Sequence, residues 1–468
     1  MFRRFRPAFF LAAAAFAALD APAESPAAAV EPYAPVAPES ATLKDTFKGA
    51  FLVGAALNPR QFGGTDPQTI DFITRQFNCA TAENDMKWES LEPKPDEFHF
   101  ASADKFIDFC NRHHLVIIGH NLCWHSQLPS WVSKPDPGQE ILTKEVLLDR
   151  LHNHIKTVAS HFKGQVLGWD VVNEAIADGT GEYRDSIFYR VIGKEYLALA
   201  FKWAHEADPN AQLYYNEYNL AVDPKKRARA VELVKYLREQ GAPIDGVGLQ
   251  GHYNLTAPTA AEIDETIQTF ADLGLKVMIT ELDVEAIRDR RVSGAVDANN
   301  GAAPERPRFQ FFPTIDELKA KVNLTDAQAA EITPLFDSAT KNIQAAIAAS
   351  EFGRIREIRS DTLEAAGKHL DEAQRATFAE MTRIPPWERR GPPPKPLTPE
   401  QQRELAQRYG EIFDVFLKHR SQITRVTFWG LRDSESWRRR GSPLLFGDDF
   451  ERKPAYDAVI AAAKKAGL

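Results

Sequence analysis

Cysteine is scarce in this chain, with Cys79, Cys110 and Cys123 among 468 residues. An odd, sparse set excludes a disulfide framework. The thiols read as small buried hydrophobes, with one oxidised pair as the alternative. An excess of positive charge is also missing: the formal net charge is −8. That balance disfavours nucleic acid and anionic membrane as partners. Long apolar runs are missing too. The stretch 9–19 is too short to span a bilayer, and no other segment is a candidate. Its flanks, the basic Arg3, Arg4 and Arg6 and the small-residue site Ala21-Pro22-Ala23, fit a secretory signal cleaved near Ala23. A membrane anchor is the alternative. The expected location is therefore periplasmic or extracellular. Residues 24–43, rich in Ala, Pro and Glu, read as a loose leader.

What is present is apolar and periodic. The chain is 44% hydrophobic, enough for a sizeable core. Strand-like runs are predicted at 51–57, 79–82, 116–124, 166–174, 212–219, 246–253, 276–284 and 425–431. Helix-length segments separate them. Leu147, Leu151, Ile155 and Val158 make one apolar stripe, and Ala230, Leu233, Val234 and Leu237 another. Strand–helix alternation repeated eight times predicts an α/β fold with a parallel sheet. Polar and aromatic residues stand at the end of nearly every strand, so a (β/α)8 TIM barrel is preferred to an open sheet with a single switch point.

Two of these strands end in carboxylates. Residues 165–175 read QVLGWDVVNEA, an apolar run ending in Asn173-Glu174, and 276–284 read KVMITELDV, with Glu281 and Asp283 at the end. A carboxylate at the end of a buried strand is costly unless that end opens into a solvated cleft. Two glutamates delivered by two strands are what cleavage of a bond between flanking carboxyl groups requires.

The stretch between the seventh and eighth strands is too long for one barrel helix. Residues 288–313 and 385–396 read as loops rich in Pro, Gly and charge, and 309–394 as a helical insertion. Helix starts are predicted at Thr325 (with Gln328 three residues on), at Asp371 (with Gln374) and at Thr398 (with Pro399 and Gln401). Pro334 is a candidate kink in the first of these helices.

Eight motifs together carry a family resemblance: ENDMKW (83–88), GHNLCWHSQLPSW (119–131), WDVVNEA (169–175), YYNEYN (214–219), GLQGHY (248–253), ITELDV (279–284), TFWG (427–430), and Trp437 with PLLF (443–446). In this order the chain resembles the family 10 endo-β-1,4-xylanases from about residue 44 to the C-terminus, with the insertion outside the match. The insertion itself loosely resembles the LTxxQ pattern of small periplasmic stress proteins, for which efficient helix capping is the plainer explanation. The domain plan that follows is a signal peptide (1–23), a leader (24–43) and a catalytic barrel (44–468) interrupted at 309–394.

The resemblance implies a role for each matching residue. Glu174 corresponds to the general acid/base and Glu281 to the nucleophile of a retaining glycosidase. Their carboxyl groups are then expected roughly 5–5.5 Å apart, with Glu281 ionised and Glu174 protonated before reaction. His252, held by Asp283, corresponds to the support of the nucleophile. Asn173 matches the contact to the sugar 2-hydroxyl, and Gln250 a further polar neighbour. His120, Trp124, Gln127, Trp429 and Trp437 match the walls around the reacting sugar. Glu83, Asn84 and Lys87 match contacts to the next sugar on the non-reducing side, and Tyr218 an aromatic on the leaving-group side. Structural alternatives stand beside these. The tryptophans equally suit core packing, His120 a satisfied core histidine, Lys87 a solvated helix charge. Arg438, Arg439 and Arg440 read as a solvated loop. Cys123 with His125, and His152 with His154, are too few ligands for a metal. No metal and no cofactor is implied, and the expected partner is xylan. A β-1,4-glucanase, a non-catalytic carbohydrate-binding barrel and a partner-binding role for the insertion remain as competing readings.

Overall fold

The computed structural model describes residues 40–468 apart from 65, 137, 288–310, 349–351 and 383–395. The signal and leader readings for 1–39, and most of the two loops flanking the insertion, lie outside the described residues. Nine strands form one parallel system: β1 (Leu52–Leu57), β2 (Cys79–Ala82), β3 (Val116–Trp124), β4 (Gly168–Asn173), β5 (Gln212–Glu217), β6 (Gly246–Leu249), β7 (His252–Asn254), β8 (Lys276–Glu285) and β9 (Ile423–Phe428). Their order is β6-β5-β4-β3-β2-β1-β9-β8, and pairing of β6 with β8 closes it into an eight-stranded barrel. The short β7 extends the sixth barrel position and pairs only with β8, His252 opposite Asp283.

Eight helices follow the eight barrel positions: α1 (Pro67–Gln76), α2 (Ala101–Arg112), α3 (Lys144–His161), α4 (Glu195–Ala207), α5 (Pro224–Glu239) and α6 (Ala260–Ala271), then, beyond the insertion, α11 (Pro399–Lys418) and α12 (Pro454–Lys465). Their starts are written in the sequence. Asp66 and Asp223 cap helices that carry proline in the first turn. Thr259 with Glu262, and Thr398 with Gln401, make full capping boxes that satisfy otherwise unpaired N–H groups. The predicted stripes Leu147-Leu151-Ile155-Val158 and Ala230-Leu233-Val234-Leu237 are buried against the sheet.

Four of the expected runs end or break early, each where the backbone leaves the sheet. The fifth stops at Glu217, ahead of Asn219 at φ +59°. The sixth run breaks at Gly251, whose φ of +83° no side-chain-bearing residue adopts without strain. The fourth stops at Asn173, because Glu174 takes φ +57°. The eighth stops at Phe428, before Gly430 at φ +127°.

The insertion holds α7 (Ile315–Val322), α8 (Asp326–Ala348), α9 (Phe352–Gly367) and α10 (Glu372–Thr382). The sequence marked the starts of α8 and α10; α7 and α9 are additional, and α8 continues through Pro334. These helices share an apolar cluster separate from the barrel core, including Phe312, Leu324, Ile332, Phe336, Ile343 and Leu370. Gln328 and Gln374, besides capping α8 and α10, bond each other at 2.7 Å, so the two helix starts are tied together. Asp361 of α9 lies 3.8 Å from Lys134 in the loop after β3. That exposed pair contributes about 0–1 kcal/mol.

Close packing leaves no slack between β3 and β4. A Cβ on Gly119 would stand 2.2 Å from the ring of the fully buried Trp169. Gly119→Ala is expected to lower unfolding stability by about 1–3 kcal/mol through overpacking, read as a fall in the urea midpoint. An unchanged midpoint would mean that β3 and β4 are looser than this packing requires.

Candidate active site

All the strands run the same way, so their C-terminal ends converge on one rim. Glu281 on β8 is buried there. Its Oε1 accepts from Asn216 Nδ2 at 2.8 Å, and its Oε2 lies 3.2 Å from His252 Nε2. The other ring nitrogen of His252, Nδ1, meets Asp283 at 3.0 Å. Burial works against a charge on His252, but the charges and hydrogen bonds of Asp283 and Glu281 outweigh it and raise its pKa to about 10. His252 is therefore an imidazolium at neutral pH. Burial likewise pushes the Glu281 carboxyl up. The His252 hydrogen bond and charge, helped by the Asn216 amide, overcome that and hold it below its ordinary range.

Glu174 faces a different environment. Its left-handed backbone carries it off the end of β4, where its N–H still donates to the Asn216 carbonyl at 2.9 Å. Such a conformation costs of order 1–3 kcal/mol and persists only where surrounding structure holds it. Its carboxyl accepts from Gln250 Nε2 at 2.8 Å and from the Trp124 indole at 2.9 Å, both neutral donors. Asn173, one residue back, accepts from Asn216 Nδ2 at 3.0 Å. Asn216 donates to the charged Glu281 from the same nitrogen, which fixes its orientation and makes the Asn173 oxygen the acceptor. Glu174, Asn173, Asn216, Gln250 and Glu281 thus form one connected group drawn from four barrel positions.

A second group lies beside it. Lys87 is buried; its Nζ donates to Asn84 at 3.0 Å and to Gln127 at 2.7 Å, and lies 5.0 Å from the centre of the Trp124 ring. Gln127 also donates to Asn84 at 3.1 Å. The solvated-charge alternative for Lys87 therefore falls. Glu83 is half-buried, and burial raises its carboxyl against the nearby Lys87 charge. His120 is buried, 2.9 Å from Asp170, with its ring edge-to-face against Trp429. Trp429 is 8% exposed and Trp437 61%. Trp437 donates its indole N–H to Asp283 at 2.9 Å and packs edge-to-face on His252.

Tyr218 lies in a third group. Arg184 joins it to Glu174, donating to the Tyr218 hydroxyl at 2.6 Å and to the Glu174 carbonyl at 2.9 Å. Asp178 and Lys226 complete that outer group.

The sequence profile of glycosyl hydrolase family 10 matches residues 42–341 and 388–462. The chain belongs to glycosyl hydrolase family 10. The endo-1,4-β-xylanase A of Xylanibacter ruminicola is 42% identical over 266 residues, covering 57% of this chain and 71% of that protein. The endo-1,4-β-xylanase B of Paenibacillus barcinonensis is 31% identical over 432 residues, covering 90% and 98%. Among solved structures, a family 10 endoxylanase from a sugarcane soil metagenome superposes with a TM-score of 0.64 at 31% identity, covering 90% of this chain and 98% of its own.

The match of this family 10 glycoside hydrolase runs as far as residue 341 and resumes at 388, so within the insertion α7 and most of α8 fall inside it and 342–387 outside. Two site residues went unassigned. Asn216, inside the YYNEYN motif, joins Asn173 to Glu281; its signal was a polar residue near the end of a buried strand. Arg438 is not a solvated loop charge: it pairs with Asp283 at 2.8 Å and Glu285 at 3.1 Å. His154 is a core residue stacked on Trp88 and bonded to Glu92. All three cysteines are buried and unpaired. Among the described residues no group of three or more His, Cys, Asp or Glu side chains is placed to hold a metal ion.

Removing the His252 cation tests this electrostatic reading. His252→Asn takes away the charge that holds Glu281 ionised, so the acid limb of kcat/KM should move up by about one pH unit or more. The loss at pH 7 should be about 10²-fold, as for other charge-stabilising donors. An acid limb that stays in place would mean that His252 does not control the charge of Glu281.

Proposed function

We propose that the protein is a secreted endo-1,4-β-xylanase that cleaves internal β-1,4 bonds of xylan with retention of anomeric configuration. The observation that carries this reading is the asymmetry of the two carboxylates. Glu281 is buried between a cationic partner, His252, and a neutral donor, Asn216, as suits a charged nucleophile. The Glu174 carboxyl accepts from two neutral donors, Trp124 and Gln250, on the open side of the rim. The xylanase names of the relatives support the substrate.

In the first step the Glu174 carboxyl gives its proton to the glycosidic oxygen while a Glu281 oxygen attacks the anomeric carbon. The carbon–oxygen bond to the leaving chain breaks, and an ester to Glu281 forms. In the second step Glu174, now a carboxylate, takes a proton from water. The hydroxide oxygen bonds the anomeric carbon and Glu281 leaves. Two inversions return the β configuration. His252 and Asn216 hold Glu281 in one orientation through both steps. Asn173 takes the contact to the sugar 2-hydroxyl, a role supported by its link through Asn216 to Glu281. Glu83, Asn84, Lys87 and Gln127 offer hydroxyl partners next to Trp124, in the place expected for the next sugar. The basic start and the A-x-A site near Ala23 support export.

The 61% exposure of Trp437 favours a second reading in which a β-1,4-glucan is also accepted, because a wall so open crowds a hydroxymethyl group less. Hydrolysis of xylan and of carboxymethyl-cellulose by wild type, Glu174→Gln and Glu281→Gln decides between them. Xylan should be cleaved faster, and each substitution should lower the rate by at least about 10²–10⁴-fold. NMR of the first products should show the β anomer. Faster cleavage of the cellulose derivative would replace the substrate assignment, and α product would overturn the mechanism.

A further inference from the structure

Trp437 presents a mechanical problem. An aromatic wall must stand still to exclude anything, yet this ring is 61% exposed and sits on a loop beyond the last strand. Its own attachments are an indole bond to Asp283 at 2.9 Å and an edge contact with His252. The residue after it supplies the rest. Arg438 donates from Nη1 to Asp283 at 2.8 Å and to the Tyr253 carbonyl at 3.0 Å, and from Nη2 to Glu285 at 3.1 Å. Its guanidinium lies 5.5 Å from the centre of the Trp437 ring. These partners are on β7 and β8, and β8 carries Glu281. The loop is then joined to the same strand end through its backbone: Ala286 N–H donates to the Gly441 carbonyl at 2.8 Å and Val284 N–H to the Pro443 carbonyl at 3.1 Å. Gly441 has to be glycine for this approach, because a Cβ there would stand 2.3 Å from Glu285.

A fork of planar donors on two carboxylates and a carbonyl fixes direction as well as distance, which a single lysine charge does not. The wall is thereby referenced to the strand that bears the nucleophile. We infer that Arg438 is the positioning residue that holds Trp437 against the reacting sugar, and that through it Arg438 sets the preference for sugars lacking a hydroxymethyl group. This rests on the glycanase reading above and deepens it.

The test compares kcat/KM on 4-nitrophenyl β-xylobioside and 4-nitrophenyl β-cellobioside for wild type, Arg438→Met, Arg438→Lys, Trp437→Ala and the double variant Trp437→Ala/Arg438→Met. The xylo/gluco ratio should fall by about tenfold or more in Arg438→Met, the scale of pocket discrimination against a small group. Arg438→Lys should recover part of it. In the Trp437→Ala background the arginine substitution should leave the ratio unchanged, because its effect passes through the ring. Equal losses on both substrates would overturn the inference and make Arg438 a purely structural residue. A ratio that falls by the same factor with and without Trp437 would overturn it as well. Should Arg438→Met fail to fold, Glu285→Gln removes one anchor of the fork and is judged by the same criteria. A wild type that cleaves neither substrate would sink the glycanase reading itself, an outcome distinct from all of these.

Discussion

The imidazolium of His252, between Asp283 and Glu281, is the contact around which the rest of the rim is arranged. Burying a carboxylate is expensive unless it is paired and hydrogen-bonded, and here two carboxylates are buried within one ring's reach. His252 cannot neutralise both. Arg438 supplies the second positive charge, and the indole of Trp437 and the amide of Asn216 take up remaining lone pairs. Arg438 also pairs with Glu285, so three carboxylates share two cations. The paired charges of His252 and Glu281 give a pH window. His252 has its pKa raised, so its contribution to stability is complete below the ordinary histidine value of about 6.5 and is lost as pH rises through about 10. Glu281 has its pKa lowered, so its contribution is present above the ordinary carboxylate value and is lost as pH falls through the depressed one. Between those edges His252 and Glu281 keep their charges.

Much of this was legible in the chain, for identifiable reasons. Strands β2 and β3 fall at the residues predicted because apolar runs flanked by polar ends carry a strong signal. Glu174 and Glu281 stood out as charges where a buried strand stops. The His252–Asp283 pair followed from the resemblance, and the pairing of β7 with β8 places these two residues opposite each other. What the chain hid were features that depend on three-dimensional neighbours. The break at Gly251 is a backbone event inside a run of strand-like composition. Arg438 sits in a run of three arginines, and nothing local distinguishes the one that reaches Asp283. The helix α9 mixes charges with few apolar positions, so its periodic signal is weak. The start of α7 was legible, Thr314 with Glu317 three residues on, but it directly follows a stretch read as loop.

The difference between the two glutamates follows from the strands that carry them. Gly248 on β6 has no side chain, and the space a Cβ would take is occupied by Asn216 Oδ1, 2.3 Å from that position. The same oxygen accepts from the Thr280 hydroxyl at 2.7 Å, so the amide nitrogen of Asn216 must turn toward Glu281. Thr280 precedes Glu281 on β8. That strand therefore orients the donor that its own carboxylate uses, while β7 sets the cation on the other oxygen. Glu174 has no such arrangement. It leaves β4 in a left-handed turn, and its carboxyl accepts from an indole and an amide, neither of which carries a charge. A nucleophile has to be ionised before the substrate arrives, whereas an acid/base has to change state twice in each turnover. The fixed partners that β5 and β7 give Glu281 suit the first task and the neutral partners around the Glu174 carboxyl suit the second, which is why we assign the roles in that order and not the reverse.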